Sequence, residues 1–243
     1  MLLAFWTCLY SVLPADAEYA AARFERSRLV HPKLFEILDN PRYELEATAF
    51  DWYSYHLKIL ENAPAHIMSA DFGHQILIND GSGTDDWSGR QFPLIIPIHL
   101  GIAGKSVGHW TTAVVDNMSG KLQLYYFDYL MTALPDHVFQ RLENYISRKL
   151  EIRKEKPSFF RRKKTSVFDE IFVFKNQHQR DSYSCGVFSL YTMQLFAFKG
   201  DVASLNYIFN QLNSMNRLSI SDKRQEYLNL LLVDQNSGVI EVG

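Results

Sequence analysis

Residues 179–199, QRDSYSCGVFSLYTMQLFAFK, place a cysteine immediately before a segment that is apolar on almost every side. This pattern predicts a helix over residues 186–199 that is buried all round. Cys185 then lies at the N-terminus of the helix, where the positive end of the helix dipole stabilises a thiolate, the form of cysteine that attacks a substrate. A cysteine that only fills space is expected further along such a helix. The stretch therefore predicts a nucleophile at a buried helix N-terminus.

The segments upstream of this helix have strand character. Residues 93–100, PLIIPIHL, form a short apolar run typical of a buried strand, in which Pro97 indicates an edge or a bulge. Two further runs, WTTAVV at 110–115 and KLQLYYF at 121–127, are joined by a turn that contains glycine. They predict an antiparallel hairpin. A fourth strand is predicted at 171–174.

Helical patterns surround these strands. Residues 134–150 repeat apolar side chains at helical spacing, with an acidic residue in the first turn and basic residues in the last. Further helices are predicted over most of 1–75 and over 221–233. Residues 79–91, NDGSGTDDWSGRQ, are rich in glycine and aspartate, which predicts a surface loop.

Composition excludes several classes of protein. The chain has 243 residues with 25 Lys+Arg against 27 Asp+Glu, and its net charge of −2 argues against a generally basic nucleic-acid binder. Two cysteines are too few for a disulfide scaffold or a Cys-rich zinc module, and no His, Cys and carboxylate set has metal-ligand spacing. We therefore expect no metal and no cofactor. No apolar run reaches the length of a membrane span, so no membrane partner is expected.

The N-terminus has two interpretations. Residues 2–13 are apolar, and Ala15-Asp16-Ala17 is similar to the cleavage site of a signal peptide. No Lys or Arg precedes the apolar run, however, as it does in a signal peptide. We favour a buried first helix over a signal peptide.

Three further residues form a candidate catalytic set with Cys185. His109 opens the first strand of the hairpin and Asp128 follows the second, so strand pairing brings the two side chains together. There the carboxylate can fix the imidazole tautomer, and the imidazole can act as base for the thiol. Gln179, six residues before Cys185, can donate an amide N–H to an oxyanion beside the backbone N–H of the cysteine.

The order and context of these residues resemble the ubiquitin-like-protein proteases, the SUMO-protease-like and adenain-like cysteine peptidases of clan CE. The matching pieces are Ile96-Pro97-Ile98, His109-Trp110, Tyr126-Phe127-Asp128 and the run from Gln179 to Cys185-Gly186. The resemblance covers about residues 94–199. It implies an α+β fold in the papain-like clan CE arrangement, with a small central mixed sheet flanked by helices and the catalytic cysteine at the N-terminus of a buried helix.

The resemblance also implies an activity. Such enzymes cleave after the C-terminal Gly-Gly of ubiquitin or a ubiquitin-like protein such as SUMO or NEDD8, including in their conjugates. The Trp after the catalytic His forms one wall of a tunnel that admits only glycine, a role that falls to Trp110, with Gly186 beside the nucleophile. Residues 91–243 then form the catalytic core, and residues 1–90 form a helical variable region that selects the substrate.

The chain departs from SUMO-directed members of this family in one respect. Those members carry an upstream Trp-Leu-Asn-Asp stretch as the opposite wall of the tunnel, and this sequence has none. Trp52 and Trp87 are candidate substitutes, while Asp85 and Asp86 are candidates to meet the basic tail of ubiquitin. These features favour a divergent, deubiquitinase-type member.

Two other functions stay open. A YopJ-type acetyltransferase shares the fold and the His-acid-Cys order, but its cysteine accepts acetyl from acetyl-CoA. Such enzymes bind an inositol polyphosphate, for which residues 148–164, with nine basic and two acidic side chains, are a candidate site. The other alternative is an inactive ubiquitin-binding module. The expected location is the cytosol or nucleus, or the host cell if the protein is a secreted bacterial effector.

Overall fold

The structure is a computed structural model in which a defined part of the chain is described. That part comprises residues 29–30, 32–40, 42–79, 87–101, 108–118, 120–130, 133–152, 166–174, 179, 181, 183–199 and 202–242. The N-terminal apolar run at 2–13, most of the basic segment 148–164, and both Asp85 and Asp86 lie outside the described residues, so what was predicted for them stays a prediction.

The described residues form seven strands and seven helices. The strands are β1 (Leu29–Val30), β2 (His66–Ile67), β3 (Leu94–Gly101), β4 (Gly108–Met118), β5 (Lys121–Phe127), β6 (Glu170–Val173) and β7 (Glu241–Val242). The helices are α1 (Lys33–Asp39), α2 (Ala47–Tyr55), α3 (Ala70–Asn79), α4 (Asp136–Lys149), α5 (Cys185–Ala197), α6 (Val202–Ser214) and α7 (Arg217–Asn236). A π-helical turn, His56–Leu60, continues α2.

Five of the strands form one mixed sheet in the order β2-β3-β4-β5-β6. The two outer pairs, β2 with β3 and β5 with β6, are parallel, and the two inner pairs are antiparallel. The predicted hairpin is present, and its register runs from Thr112 opposite Phe127 to Met118 opposite Lys121. Strands β1 and β7 form a separate parallel pair. The predicted α+β fold with a small mixed sheet flanked by helices is confirmed.

Pro97 lies where β3 has a strand on one side only, as its lack of an N–H requires. Strand β2 pairs with Leu94 and Ile95 alone, so the outer edge of β3 is covered by α3 from there onward. Gly73 of α3 lies so close to this edge that a Cβ atom there would overlap the carbonyl oxygen of Pro97. The predicted edge position of Pro97 is confirmed, and the glycine allows the helix to close it.

The sheet separates two hydrophobic cores. Alternate residues of β4 face opposite sides, with Trp110 and Val114 in the first core and Ala113 and Val115 in the second. The first core is completed by α1, α2, α5, α6 and α7, and the second by α3 and α4. Helix α5 has almost all of its residues buried in the first core, as its composition predicts.

Two helical features differ from the prediction. Helix α6 was not predicted, and the final helix extends beyond the predicted 221–233 at both ends. Residues 34–57, from the predicted variable region, share the first core with α5 and α7 of the predicted catalytic core. In the described part of the chain, no helix is long and apolar enough to cross a membrane.

Candidate active site

Cys185 is the first residue of α5, and only 1% of its surface is exposed. The loop in front of it is organised by Asp181. One carboxylate oxygen of Asp181 accepts the backbone N–H groups of Tyr183 and Ser184 at 3.0 and 2.7 Å, and the other accepts the Ser184 hydroxyl at 2.8 Å. The start of the helix and the direction of the thiol are therefore fixed by this loop.

His109 and Asp128 meet where the hairpin strands end, as predicted. His109 Nε2 and Asp128 Oδ1 are 2.8 Å apart, and both residues are buried. The same carboxylate oxygen accepts the backbone N–H of Leu130 at 2.9 Å. Two donors thus orient the Asp128 carboxylate toward the imidazole.

The imidazole of His109 connects Asp128 to Cys185. Its Nε2 is bonded to Asp128, so Nδ1 is the nitrogen left to face the thiol of Cys185, which lies close enough to interact with the imidazole. Burial is the largest influence on the pKa of His109 and lowers it. The hydrogen bonds to Asp128 and Cys185, together with the charges of both groups, outweigh burial and raise the pKa to about 9. A cationic imidazole at neutral pH is the partner that a thiolate requires.

Gln179 joins the two halves of the site. Its backbone N–H donates to the carbonyl of Tyr129, the residue after Asp128, at 3.2 Å. Its side-chain Nε2 donates to the carbonyl of Asp181 in the loop before Cys185 at 2.7 Å. An amide carries two N–H groups. Donation of the second N–H to an oxyanion stays a prediction.

Trp110 lines the cleft next to His109. Its ring stacks on Phe50 with centroids 4.0 Å apart, and its indole N–H donates to the carbonyl oxygen of Leu45 at 2.7 Å. Only 4% of the residue is exposed. One face of the indole is thus held by the protein itself, so its position does not depend on a substrate.

A cleft of about 810 Å³ opens beside this tryptophan. Gly108, His99 and Trp110 form one side, and the segment 42–47 forms another. Burial is the largest influence on the pKa of His99 and lowers it, and the nearby charges of His74 and His109 act in the same direction. The remaining lining residues are Lys33, Glu36, Ile37, Ala70, Asp71 and His74.

Gly186, which was expected to lie beside the nucleophile and contact the substrate, packs against Leu45. A Cβ atom at this position would lie 2.7 Å from the Cβ of Leu45, closer than side chains tolerate. The absence of a side chain at Gly186 therefore allows Leu45 to pack against the start of α5. Leu45 in turn is held at Trp110 through its carbonyl group, so one residue links both sides of the cleft.

Trp87, which was predicted to contact the substrate, lies in a different hydrophobic core from Cys185 and Trp110. Trp87 is 1% exposed and lies in the second core, across the sheet from the first. Its indole N–H donates to the carbonyl of Gln91 at 2.9 Å, and its ring packs edge-on against Phe92. The Gly and Asp residues around it indicated a surface loop, but burying a large aromatic ring outweighs that local composition. Trp52 is also buried, and its N–H donates to Asp234 at 3.0 Å.

Two elements of the site carry no sequence signal. The segment 42–46 takes the place of an opposite cleft wall, and it reaches Trp110 through a backbone carbonyl group that no side-chain pattern reveals. Arg224 of α7 is buried beneath this segment, within a helix that looks like an ordinary polar helix. Among the described residues, no group of three or more His, Cys, Asp or Glu side chains is placed to hold a metal ion.

Comparison with protein families gives one match. The model of the Ulp1 protease family, C-terminal catalytic domain, matches residues 85–229, more than half of the chain. The matched region contains the hairpin, the cysteine helix and most of α7. No curated protein matches the chain.

Solved structures share the fold at low sequence identity. A structure of the SUMO protease Ulp1, with its catalytic cysteine oxidised to a sulfonic acid, has a TM-score of 0.51 and 14% identity, covering 92% of this chain and 97% of that one. A structure of an ASFV protease in its Se-Met form has a TM-score of 0.51 and 13% identity, covering 87% of this chain and 78% of that one. Both show a similar fold.

Proposed function

Since the chain belongs to the Ulp1 protease family, we propose that this cysteine peptidase cleaves after the C-terminal Gly-Gly of ubiquitin or of a ubiquitin-like modifier. The observation that carries the proposal is a single imidazole, His109, which is bonded to Asp128 and lies close enough to the thiol of Cys185 to interact with it. This arrangement gives the cysteine a base, and it gives that base a carboxylate that orients it.

The reaction begins with the thiolate of Cys185 and the imidazolium of His109. The thiolate sulfur attacks the carbonyl carbon of the terminal glycine, and the carbonyl oxygen takes the negative charge. The backbone N–H of Cys185 and the side-chain N–H of Gln179 donate to this oxyanion. His109 gives its proton to the leaving amine, and a thioester remains on the cysteine.

Water completes the cycle. His109, now neutral, takes a proton from the water molecule that attacks the thioester carbonyl. The tetrahedral intermediate collapses, and the sulfur leaves as a thiolate beside the imidazolium. Asp128 holds the ring in one orientation through both steps, because it bonds the nitrogen that does not exchange protons.

The cleft supports a modifier with a basic tail. Its acidic lining residues, Glu36, Glu44, Glu46 and Asp71, outnumber its Lys and Arg residues, Lys33 and Arg42. Glu46 is engaged by Lys33 at 3.4 Å, so that pair adds little net charge. Glu44 lies close enough to His109 for the two charges to interact: burial raises the pKa of Glu44, and the histidine cation lowers it. Ubiquitin, whose tail carries two arginines, is therefore our first choice of substrate.

C-terminal electrophile probes built on ubiquitin, SUMO and NEDD8 test this function. We expect a stoichiometric covalent adduct with the ubiquitin probe, which is lost in Cys185→Ala, a variant that keeps the wild-type circular dichroism spectrum. An adduct with the SUMO probe alone would support the peptidase activity. It would contradict our argument that the cleft selects a modifier with a basic tail. If the folded protein reacts with none of the three probes, the proposed activity is wrong.

Two alternatives are separated by the same experiment. An inactive ubiquitin-binding module binds the modifier but forms no adduct. The acetyltransferase is tested by incubation with acetyl-CoA and inositol hexakisphosphate, followed by mass measurement of Cys185. Its basic candidate site, residues 148–164, lies mostly outside the described residues, and no feature of the described residues favours it.

We propose the cytosol or nucleus as the place of action, in the protein's own cell or in a host. The support is chemical. The proposed nucleophile must stay reduced, and the cytosol and nucleus keep thiols in that state.

A further inference from the structure

Arg224 is a buried cation on α7, with 3% of its surface exposed. Its guanidinium group donates hydrogen bonds to four backbone carbonyl groups. Nη1 donates to Ile37 at 2.7 Å and to Asn40 at 3.0 Å, and Nη2 donates to Tyr43 at 2.5 Å and to Tyr183 at 3.3 Å.

These carbonyl groups belong to two functional parts of the molecule. Ile37 and Asn40 lie at the end of α1, and Tyr43 begins the segment that forms one side of the cleft. Tyr183 lies in the loop directly before Cys185. A single guanidinium group therefore joins the cleft wall to the loop that carries the nucleophile.

We propose that Arg224 is a positioning residue for the peptidase reaction, which holds the cleft segment 42–47 and the loop before Cys185 at a fixed distance from each other. The tail of the substrate then enters the cleft in register with the thiol. This inference rests on the proposed function for the identity of the substrate. The part of the inference that concerns the position of Cys185 is independent of the proposed function.

The shape of arginine fits this role. The carbonyl groups come from separate segments, and a planar fork with several fixed N–H groups can reach them together, whereas a lysine ammonium acts as a single point. Arg224 Nε, in the same buried group, has no hydrogen-bond partner among the described residues. Burying an unpaired donor is unfavourable. The side chain is therefore oriented toward the carbonyl groups at some cost to stability.

The charge of Arg224 also acts on the nucleophile. Burial lowers the pKa of Arg224, and the negative charges of Asp181 and Cys185 are the largest opposing influences. The interaction is reciprocal, so removing this buried cation should change the reactivity of the thiol. The charged groups that face the thiol are then His109 with Asp128 on the strand side, and Asp181 with Arg224 on the loop side.

If the segment held by Arg224 moved, Leu45 would transmit the movement to the rest of the cleft. This residue packs against Gly186 at the start of α5, and its carbonyl accepts the indole N–H of Trp110. Movement of the segment held by Arg224 therefore changes the position of both sides of the cleft. His109 lies on β4 and Asp128 directly follows β5, and the hydrogen bonds of Arg224 reach neither, so we expect the base itself to stay in place.

Two substitutions of Arg224 separate the effect of its hydrogen-bonding geometry from the effect of its positive charge. Arg224→Lys keeps a cation but cannot reach all four carbonyl groups, and Arg224→Gln removes the charge as well. Arg141→Lys, at a half-buried position on α4 across the sheet, is the matched control. The first measurement is kcat and KM for cleavage of a fluorogenic modifier. The second is the pH profile of the alkylation of Cys185 by iodoacetamide, which requires no modifier.

For Arg224→Lys we expect KM to rise about tenfold with a smaller change in kcat, because misplacing a substrate by a fraction of an ångström weakens binding and alignment. Its alkylation profile should stay near that of the wild type. Arg224→Gln should show the same rise in KM and an alkylation profile moved to higher pH. Arg141→Lys should change neither measurement.

Several outcomes would overturn the inference. One is a folded Arg224→Lys with wild-type KM, and another is a folded Arg224→Gln with unchanged KM and an unchanged alkylation profile. If neither variant folds, as judged by near-UV circular dichroism, Arg224 is a structural residue and the inference also fails. If the wild type cleaves no modifier while Arg224→Gln moves the alkylation profile, the proposed substrate is wrong and the placement of Arg224 behind the nucleophile stands.

Discussion

Among the residues that the structure describes, two buried histidine–aspartate pairs have nearly the same geometry. His109 Nε2 lies 2.8 Å from Asp128, and His56 Nδ1 lies 2.9 Å from Asp234. In both pairs burial acts to lower the pKa of the histidine, and the carboxylate partner raises it above its ordinary value. Distance, burial and direction of the pKa shift therefore do not distinguish a catalytic pair from a structural one.

The difference lies in what the second ring nitrogen faces. His56 Nε2 is 3.1 Å from Glu61, and the carboxylate oxygen of Asp234 that contacts His56 also accepts the N–H of Trp52. This network ties α2 and its π-helical turn to α7 with carboxylates at both ends of the imidazole. The second nitrogen of His109 instead faces a thiol. A pair of this kind becomes a candidate catalyst only when its open end meets a group that can react.

The largest expected effect comes from replacing each histidine by glutamine. His109→Gln should lower kcat/KM by about 10⁴-fold or more, as loss of the base in such triads does. His56→Gln should leave kcat/KM close to that of the wild type at 25 °C and lower the free energy of unfolding instead. Steady-state kinetics and urea unfolding of both variants check this. Loss of turnover in a folded His56→Gln would remove the distinction between the pairs.

The aspartates give the next largest contrast. Asp128→Asn should lower kcat/KM by about 10²- to 10⁴-fold, because an amide no longer fixes the tautomer or stabilises the imidazolium. Asp234→Asn should instead cost about 2 kcal/mol of stability, since the donors of Trp52 and His56 lose a shared charged acceptor. Equal effects of the two substitutions on kcat/KM would contradict the assignment.

The pH dependence of turnover should reflect only the first pair. The pKa of His109 is raised to about 9, so the imidazolium persists through neutral pH and is lost as the pH rises through about 9. We expect kcat/KM of the wild type to decline on its alkaline side near that pH, and His56→Gln to show the same decline. A profile that His56→Gln shifts would mean that the two pairs are coupled.

The smallest expected effect is the pH dependence of stability. The folded-state pKa of His56 lies above the ordinary value of 6.5, so its stabilising contribution is fully present below pH 6.5 and is lost as the pH rises through the folded-state pKa. The difference in unfolding free energy between the wild type and His56→Gln should therefore shrink toward alkaline pH. Urea unfolding at a series of pH values measures this difference. A difference that grows with pH would contradict the expected direction of the pH dependence.

The sequence could predict those parts of the site in which a local sequence pattern determines the position of a side chain. Cys185 follows from the apolar helix behind it, and His109 and Asp128 follow from their positions at the ends of paired strands. In each case, the neighbouring residues in sequence determine the direction of the side chain. The hairpin and the buried helix were accessible for the same reason.

The parts that could not be predicted depend on partners that are distant in sequence. Trp87 looked exposed among Gly and Asp residues, and its burial depends on Tyr145 and the rest of the second core. The cleft wall contacts Trp110 through the backbone of Leu45, where the side chain carries no information about the bond. Arg224 lies among exposed polar residues of α7, and its acceptors are remote backbone groups.

The long sequence separations around Arg224 also set the order in which the cleft can be assembled. Its acceptors at Ile37 and Tyr43 precede it by 187 and 181 residues. On a ribosome, the five strands of the mixed sheet and the cysteine helix emerge before α7 has been made, and the wall of the cleft has to wait for that helix. Contacts of such range also form slowly because a long loop must close first. A nascent chain that already displays the thiol therefore lacks a finished cleft, which delays proteolysis until synthesis has passed the last helix.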